Sequence, residues 1–208
     1  YPYPYPYPYP NLQLLACSER LSAPAVTSEA LLSVGSYVLL PLSLRPPSGG
    51  GSRAGQGAGR PLVLRIGAAK PVVCDLEALP ALQAASAIGQ LCKRLGQRRD
   101  VAESVQLYTL QDSCGALTYA ENGAQGSGVS LSVQLDHRGS SNIAPSRGEL
   151  LTSDVLPSMR AQLLQVANLG TEGQAQICCQ IRCQAVARGA EAHVPETRSY
   201  FMHATVDV

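Results

Sequence analysis

The sequence contains no tryptophan, a single phenylalanine (Phe201), three histidines and only 15% charged residues among its 208. Each shortage excludes something. Without aromatic bulk, a core has to be assembled from Leu, Val, Ile, Ala and Cys. A formal net charge of +1 argues against the strongly basic face of a general nucleic-acid binder and against a polybasic membrane-surface protein. Long hydrophobic runs are also missing. The greasiest stretch, Leu31–Leu44, is interrupted by Ser33, Gly35, Ser36 and Pro41, whereas a membrane span needs about 18 unbroken apolar residues. No charged segment followed by an apolar one opens the chain, so no secretory signal is visible, and a start at Tyr1 instead of methionine reads as a fragment. The length suits one domain with a sizeable core, which needs neither disulfides nor metals to hold it.

Seven cysteines are present (Cys17, Cys74, Cys92, Cys114, Cys178, Cys179 and Cys183) in an odd count without framework spacing. Free thiols in a reducing, intracellular and cytoplasmic setting are therefore the expectation, with the cysteines acting as small buried hydrophobes. A zinc site would want CxxC pairs or His/Cys clusters. Cys178, Cys179 and Cys183 offer neither, and no histidine lies near them in sequence.

Residues 1–10 are five Tyr-Pro pairs. Proline fixes its own φ and biases the preceding residue toward extended conformations, so this is a polyproline-II-like tail. It lacks a PxxP with a flanking arginine and reads as a low-complexity linker in preference to a docking ligand. A short apolar run follows at Leu12–Cys17. In Ser36–Leu44, Val38, Leu40, Leu42 and Leu44 alternate as in a half-buried strand, with Pro41 pointing to an edge or bulge. The segment 46–60 (PPSGGGSRAGQGAGR) is a flexible loop; it lacks the GxxxxGK[ST] phosphate cradle and no helix follows it. Strands are expected at Leu62–Ile66 and Val72–Leu76.

From Leu79 to Gln97 the period changes. Pro80 suits a first helical turn, and Ala81, Ala84, Ala85, Ile88, Leu91, Cys92 and Leu95 form one stripe. Lys93, Arg94, Arg98 and Arg99 gather at the C-terminal end, where cations suit the helix dipole; a solvated helix end is the plainer reading of them, a phosphate or acidic partner the sharper. Strands return at Val105–Leu110, Ala116–Ala120 and Val129–Asp136, the last two joined by a hairpin loop at 121–128. His137–Gly148 is turn-rich. Met159–Leu169 is expected to pair with Gly173–Val186 across the 170–173 turn, and a further strand is possible in pattern near Tyr200–Val206. About eight strands and one amphipathic helix make an antiparallel β-sandwich, placed over residues 11–187 with 188–208 as an extension of unassigned role.

Little in this pattern carries chemistry. A cysteine protease needs a thiol, an imidazole and an orienting group converging in space. No cysteine stands at a glycine-flanked strand-to-helix turn, and Cys114-Gly115 falls inside a run of strands. GxSxG is missing, and Asp75, Asp100, Asp112, Asp136 and Asp154 lie singly, without the spacing of a calcium loop. No cofactor and no metal is expected.

One region nevertheless resembles a known family. Gly35-Ser-Tyr-Val-Leu-Leu-Pro-Leu followed by Leu62-Val-Leu-Arg-Ile, then Leu131-Ser-Val-Gln-Leu-Asp, Ser140-Ser-Asn-Ile-Ala-Pro-Ser-Arg-Gly-Glu-Leu and Asp154-Val-Leu-Pro-Ser-Met-Arg-Ala-Gln-Leu-Leu are similar, in order and spacing, to the C-terminal domain of small-optic-lobes-type calpains. The resemblance covers roughly residues 11–187. It implies a β-sandwich beside a papain-like protease core, in a branch whose members carry zinc fingers near the N-terminus. The core's glutamine-glycine…cysteine-tryptophan motif has no counterpart in a chain without tryptophan, so no catalytic residue carries over. What carries over is the turn. Asn142 can bond its own backbone, Gly148 can take positive φ, and Arg147 can reach a carboxylate or carbonyls. These residues either fix a loop or meet a protease core.

The expected function is thus a non-catalytic regulatory or interaction domain of a calpain-like cysteine endopeptidase. It would brace a protease core, supplied upstream or in trans, and contact protein substrates or partners. Nucleic acid and membrane are not expected partners. The alternative is a stand-alone, calcium-independent C2-like module that binds protein or lipid. A third reading, that the chain is itself a hydrolase, lacks a visible Cys-His-Asn core.

Overall fold

The computed structural model describes residues 13–18, 26–41, 63–76, 81–112, 115–136, 143–147, 151–169, 178–186 and 206–207. One helix, α1 (Ala81–Leu95), precedes strands β1 (Gln97–Ala102), β2 (Val105–Asp112), β3 (Gly115–Asn122), β4 (Gly128–Asp136), β5 (Ile143–Pro145), β6 (Leu151–Leu156), β7 (Arg160–Leu169), β8 (Cys178–Val186) and β9 (Val206–Asp207). Seven strands run for six residues or more, one fewer than the eight expected, and the brief β5 and β9 complete the set. The larger sheet is ordered β1-β2-β3-β7-β5, with β9 also paired to β7; the smaller is β6-β4-β8. Every pairing is antiparallel. The mainly β architecture with a single amphipathic helix is the one the sequence pattern calls for.

Three layers result. On one face of the larger sheet, Val105 and Leu107 of β2, Ala120 of β3 and Leu164 of β7 pack against Val129, Leu131 and Val133 of β4 and Leu156 of β6. On the other face, Tyr108, Leu117, Tyr119, Ala161, Leu163 and Val166 pack against Ala85, Ile88 and Cys92 of α1. β3 and β7 are therefore covered on both sides, and all eight residues of β3 are buried. Strands of this kind lose the apolar/polar alternation of a half-exposed sheet. β4 keeps it: Val129, Leu131 and Val133 are buried while Ser130, Ser132 and Gln134 are not.

A β-bulge reconciles β7 with its two neighbours. Thr118 pairs with Gln165 but Tyr119 pairs with Leu163, leaving Leu164 as the extra residue. Side-chain parity flips across such an insertion. Ala161 and Leu163 face the helix before it and Val166 faces the helix after it, while Leu164 enters the sandwich core. Without the extra residue, Val166 would turn into the sandwich and Gln165 would turn toward α1.

Two glycines set close approaches. A Cβ on Gly89 of α1 would lie 2.6 Å from the Tyr119 ring, so the helix seats on that ring only through a residue with no side chain. Gly115 opens β3 at φ +134°, in contact range of the Ala167 backbone, a conformation and a clearance that only glycine offers.

Several expectations need correction. Residues 36–41, 63–66 and 72–76 form no strand, and the described part of the 12–17 run is likewise without regular structure. Among the described residues, alternation there meets no partner edge, and Val34, Val63, Val73 and Leu76 are 90% or more exposed. The helix stops at Leu95, so Arg98 and Arg99 belong to β1, and Leu95 is exposed instead of completing the buried stripe. β8 pairs with β4, not with β7, and the 121–128 connection crosses between sheets instead of closing a hairpin. Both errors come from assuming that sequential strands share a sheet, which a sandwich violates wherever the chain changes layers. Cys92 is buried, but Cys74 is exposed and Cys17 only partly covered. The Tyr-Pro tail, the 46–60 loop and most of 188–208 lie outside the described residues.

Replacing Gly89 with valine overpacks the helix–sheet contact and is expected to destabilise the chain by about 1–3 kcal/mol, read as a lower urea midpoint. The same replacement in a Tyr119→Leu background should cost clearly less, because the ring it strikes is gone. Equal costs in the two backgrounds would refute the contact.

Candidate functional site

The turn singled out by sequence follows β5. Asn142 and Gly148 lie outside the described residues; Arg147 does not. Pro145 pairs with Ala167, and the next residue, Ser146, continues the ladder: its N–H donates to Val166 O at 2.7 Å and its Oγ accepts from Val166 N at 3.1 Å. Arg147 then turns inward. Its Nη1 donates to Asp154 Oδ1 at 2.7 Å, to Asp154 Oδ2 at 2.6 Å and to Leu164 O at 3.3 Å. The two side chains are 10% and 5% exposed. This pair joins β6 of the smaller sheet to the bulge of β7 in the larger one. The carbonyl that the extra residue Leu164 presents is thereby met by a guanidinium, and Val166 beside it is met on both its N–H and C=O by Ser146. Arg147 reaches both a carboxylate and a carbonyl, and both belong to this chain.

A second polar cluster occupies the seam between α1 and the larger sheet. Gln106 and Glu121 stand opposite each other on β2 and β3. Tyr108 Oη donates to Gln106 Oε1 at 2.8 Å and to Glu121 Oε2 at 3.3 Å. Lys93, in the last turn of α1, donates to Glu121 Oε1 at 2.7 Å. Glu121 is nearly buried while Lys93 is about half exposed. The rings of Tyr108 and Tyr119 lie 6.2 Å apart, tilted by 48°, within the range of favourable aromatic pairs. Burial, together with the Glu121 charge and its hydrogen bond, raises the Tyr108 phenol above its usual 10.0; nearby Asp100 adds to this and Arg98 opposes it. Burial also raises Tyr119, with Glu121, Cys92 and Tyr108 contributing in the same direction. Both phenols are thus held protonated, and that of Tyr108 donates.

Asn122 closes the end of the sandwich. Its Nδ2 donates to Ser127 O, Leu156 O and Pro157 O at 2.9, 3.2 and 3.0 Å, and its Oδ1 accepts from Ala124 N at 3.0 Å. One fully buried amide therefore ties the β3–β4 crossover to the β6–β7 turn, where Met159 takes φ +54°.

The basic group read at the helix end is dispersed. Lys93 pairs with Glu121, Arg94 donates to the backbone of Leu14 and Leu15, and Arg98 pairs with Asp100 on β1. Sequence reading named Arg147 but missed Asp154, Glu121, Tyr108 and Asn122. The available signal was parity. Glu121 and Asn122 end a strand whose other residues, Thr118 apart, read apolar on both faces, and a charge in such a place has to be paired. Among the described residues, no group of three or more His, Cys, Asp and Glu is placed to hold a metal. What the two clusters can do chemically is fix geometry: each joins elements of different layers through a charge-assisted bond.

Residues 91–188, just under half of the chain, match the family model described as Calpain-D-like, C-terminal domain. No curated protein and no solved structure matches the chain with significance. The match runs from the last turn of α1 to the end of β8. It includes the 140–150 and 154–164 segments on which the resemblance was argued, and leaves the 35–42 and 62–66 segments outside.

Removing Arg147 strands a buried carboxylate, so Arg147→Ala should cost about 3–5 kcal/mol, whereas Arg147→Met combined with Asp154→Leu should recover most of that loss. Chemical denaturation of the three proteins checks it. A pH effect follows from the phenols. Their folded-state pKa values lie above the unfolded 10.0, so the stabilisation is complete below pH 10 and is lost as pH rises beyond it. Thermal melts from pH 8 to 11 should fall steeply above about 10, and less steeply in Tyr119→Phe.

Proposed function

We propose, from the match of residues 91–188 to the Calpain-D-like C-terminal domain model, that the chain is a non-catalytic interaction domain that braces a calpain-type cysteine protease core. The core stands upstream in the same polypeptide or associates in trans, and the domain contacts its protein substrates or partners. The family match carries this reading. Its physical support is that the buried charges of the matched region are paired across layers: Asp154 with Arg147, which also meets Leu164, and Glu121 with the half-exposed Lys93. A domain stiffened in this way suits a brace. An intracellular, cytoplasmic setting agrees with the free thiols of Cys17, Cys74 and Cys92. No helix among the described residues is long and apolar enough to cross a membrane.

The full chain, mixed at micromolar concentration with a purified small-optic-lobes-type protease core, should co-elute with it in gel filtration and change its rate on a fluorogenic peptide. The chain alone should neither cleave that peptide nor take up an epoxide-type cysteine-protease label. Failure to co-elute, combined with calcium-independent co-sedimentation on phosphatidylserine vesicles, would replace this reading with a lipid-binding module. Labelling of the chain itself would make it an enzyme.

A further inference from the structure

The outward side of α1 holds something that neither core explains. Leu14 lies on a segment without regular structure, 76 residues before its partner in the chain, and its N–H donates to Gln90 Oε1 at 2.6 Å. Arg94 Nη1 donates to Leu14 O at 3.1 Å and to Leu15 O at 3.0 Å. Gln90 and Arg94 are four residues apart and so lie on one helix face, about 6 Å from each other. Between them they offer an acceptor and a donor to the two backbone groups of one residue, as the edge of a neighbouring β-strand would. All three bonds go to main chain, so the recognition is of backbone groups, not of particular side chains. Beside the contact is an open cavity of about 580 Å³ whose lining includes Leu15, Cys17, Leu31, Tyr37, Arg94 and Leu95. Its lining is mixed, with Glu29, Ser33 and Arg94 among the aliphatic side chains.

We propose that this side of α1 is a docking site for the main chain of a peptide, and that residues 13–17 of the chain are its resident occupant. The contact is a strap: polar, largely exposed and outside both hydrophobic cores, so it opens without unfolding the sandwich. A tethered occupant acts at an effective concentration of about millimolar. It therefore excludes a weak peptide from elsewhere and yields to one that binds more tightly. The site is independent of the bracing role, since it lies across α1 from the sheet.

Hydrogen exchange on the full chain gives the first test. The Leu14 amide should exchange more slowly than in the same sequence as a free peptide, and Gln90→Ala with Arg94→Ala should remove that protection while leaving β3 and β7 protected. The second test uses a fluorescent peptide of residues 11–18 with Cys17→Ser, added in trans. Full chain carrying Leu14→Pro, which deletes the donated N–H of the strap, should bind the peptide roughly tenfold or more tighter than the unaltered chain. Adding Arg94→Ala should reverse the gain, whereas Arg99→Ala, on the exposed edge strand, should leave it. A free-peptide exchange rate at the Leu14 amide in the unaltered chain would overturn the proposal. So would peptide binding that ignores Leu14→Pro, or that survives Arg94→Ala.

Discussion

The whole architecture depends on one constraint: two adjacent strands, β3 and β7, are covered on both faces. A strand between two layers has no solvent side on which to place polar residues. Its apolar residues must be divided between two cores, and every polar group it carries has to be satisfied from within. β3 divides its residues by simple alternation, sending Leu117 and Tyr119 to the helix and Ala120 to the sandwich. β7 cannot, because Leu163 and Leu164 are consecutive and Val166 must return to the helix side. The bulge at Leu164 solves this by inserting one residue into the ladder.

The polar interactions follow from that solution. A bulge breaks the regular hydrogen-bond ladder, and an unmet carbonyl in a covered strand is costly. The Ser146–Arg147 turn meets that need: Ser146 occupies both backbone groups of Val166, and Arg147 takes Leu164 O while its charge is balanced by Asp154. On the helix side, Glu121 is balanced by Lys93 and bonded by Tyr108. Among the described residues, two ion pairs, Arg147–Asp154 and Lys93–Glu121, join different layers. Buried pairs of this sort add less net stability than their geometry suggests; their effect is to make one arrangement of the layers better satisfied than its competitors.

Legibility from sequence varied with the kind of information each element carries. α1 was readable because its stripe and its Pro80 start are local features; only its last turn was overextended, since Leu95 and the arginines after it continue the composition without continuing the helix. β4 was readable because one face is covered and the period of two survives. Arg147 stood out as the charge in a turn, yet its partner Asp154 is seven residues on and gave no local sign of pairing. The strands expected before the helix show how far alternation can mislead. Val38 and Leu40 alternate as in β4, but a period describes what a segment could bury, not whether an edge is there to receive it.

Composition, period and turn chemistry determined by themselves that this would be an antiparallel β protein with one amphipathic helix and a core of aliphatic residues, because those properties arise from neighbours a few residues apart. Only the tertiary structure decided which strands share a sheet, that β8 lies against β4, where the chain crosses between layers, and which charges meet. Those outcomes depend on contacts between distant residues, such as Arg147 with Leu164 or Leu14 with Gln90. No local pattern encodes a partner that the chain meets only after it has folded.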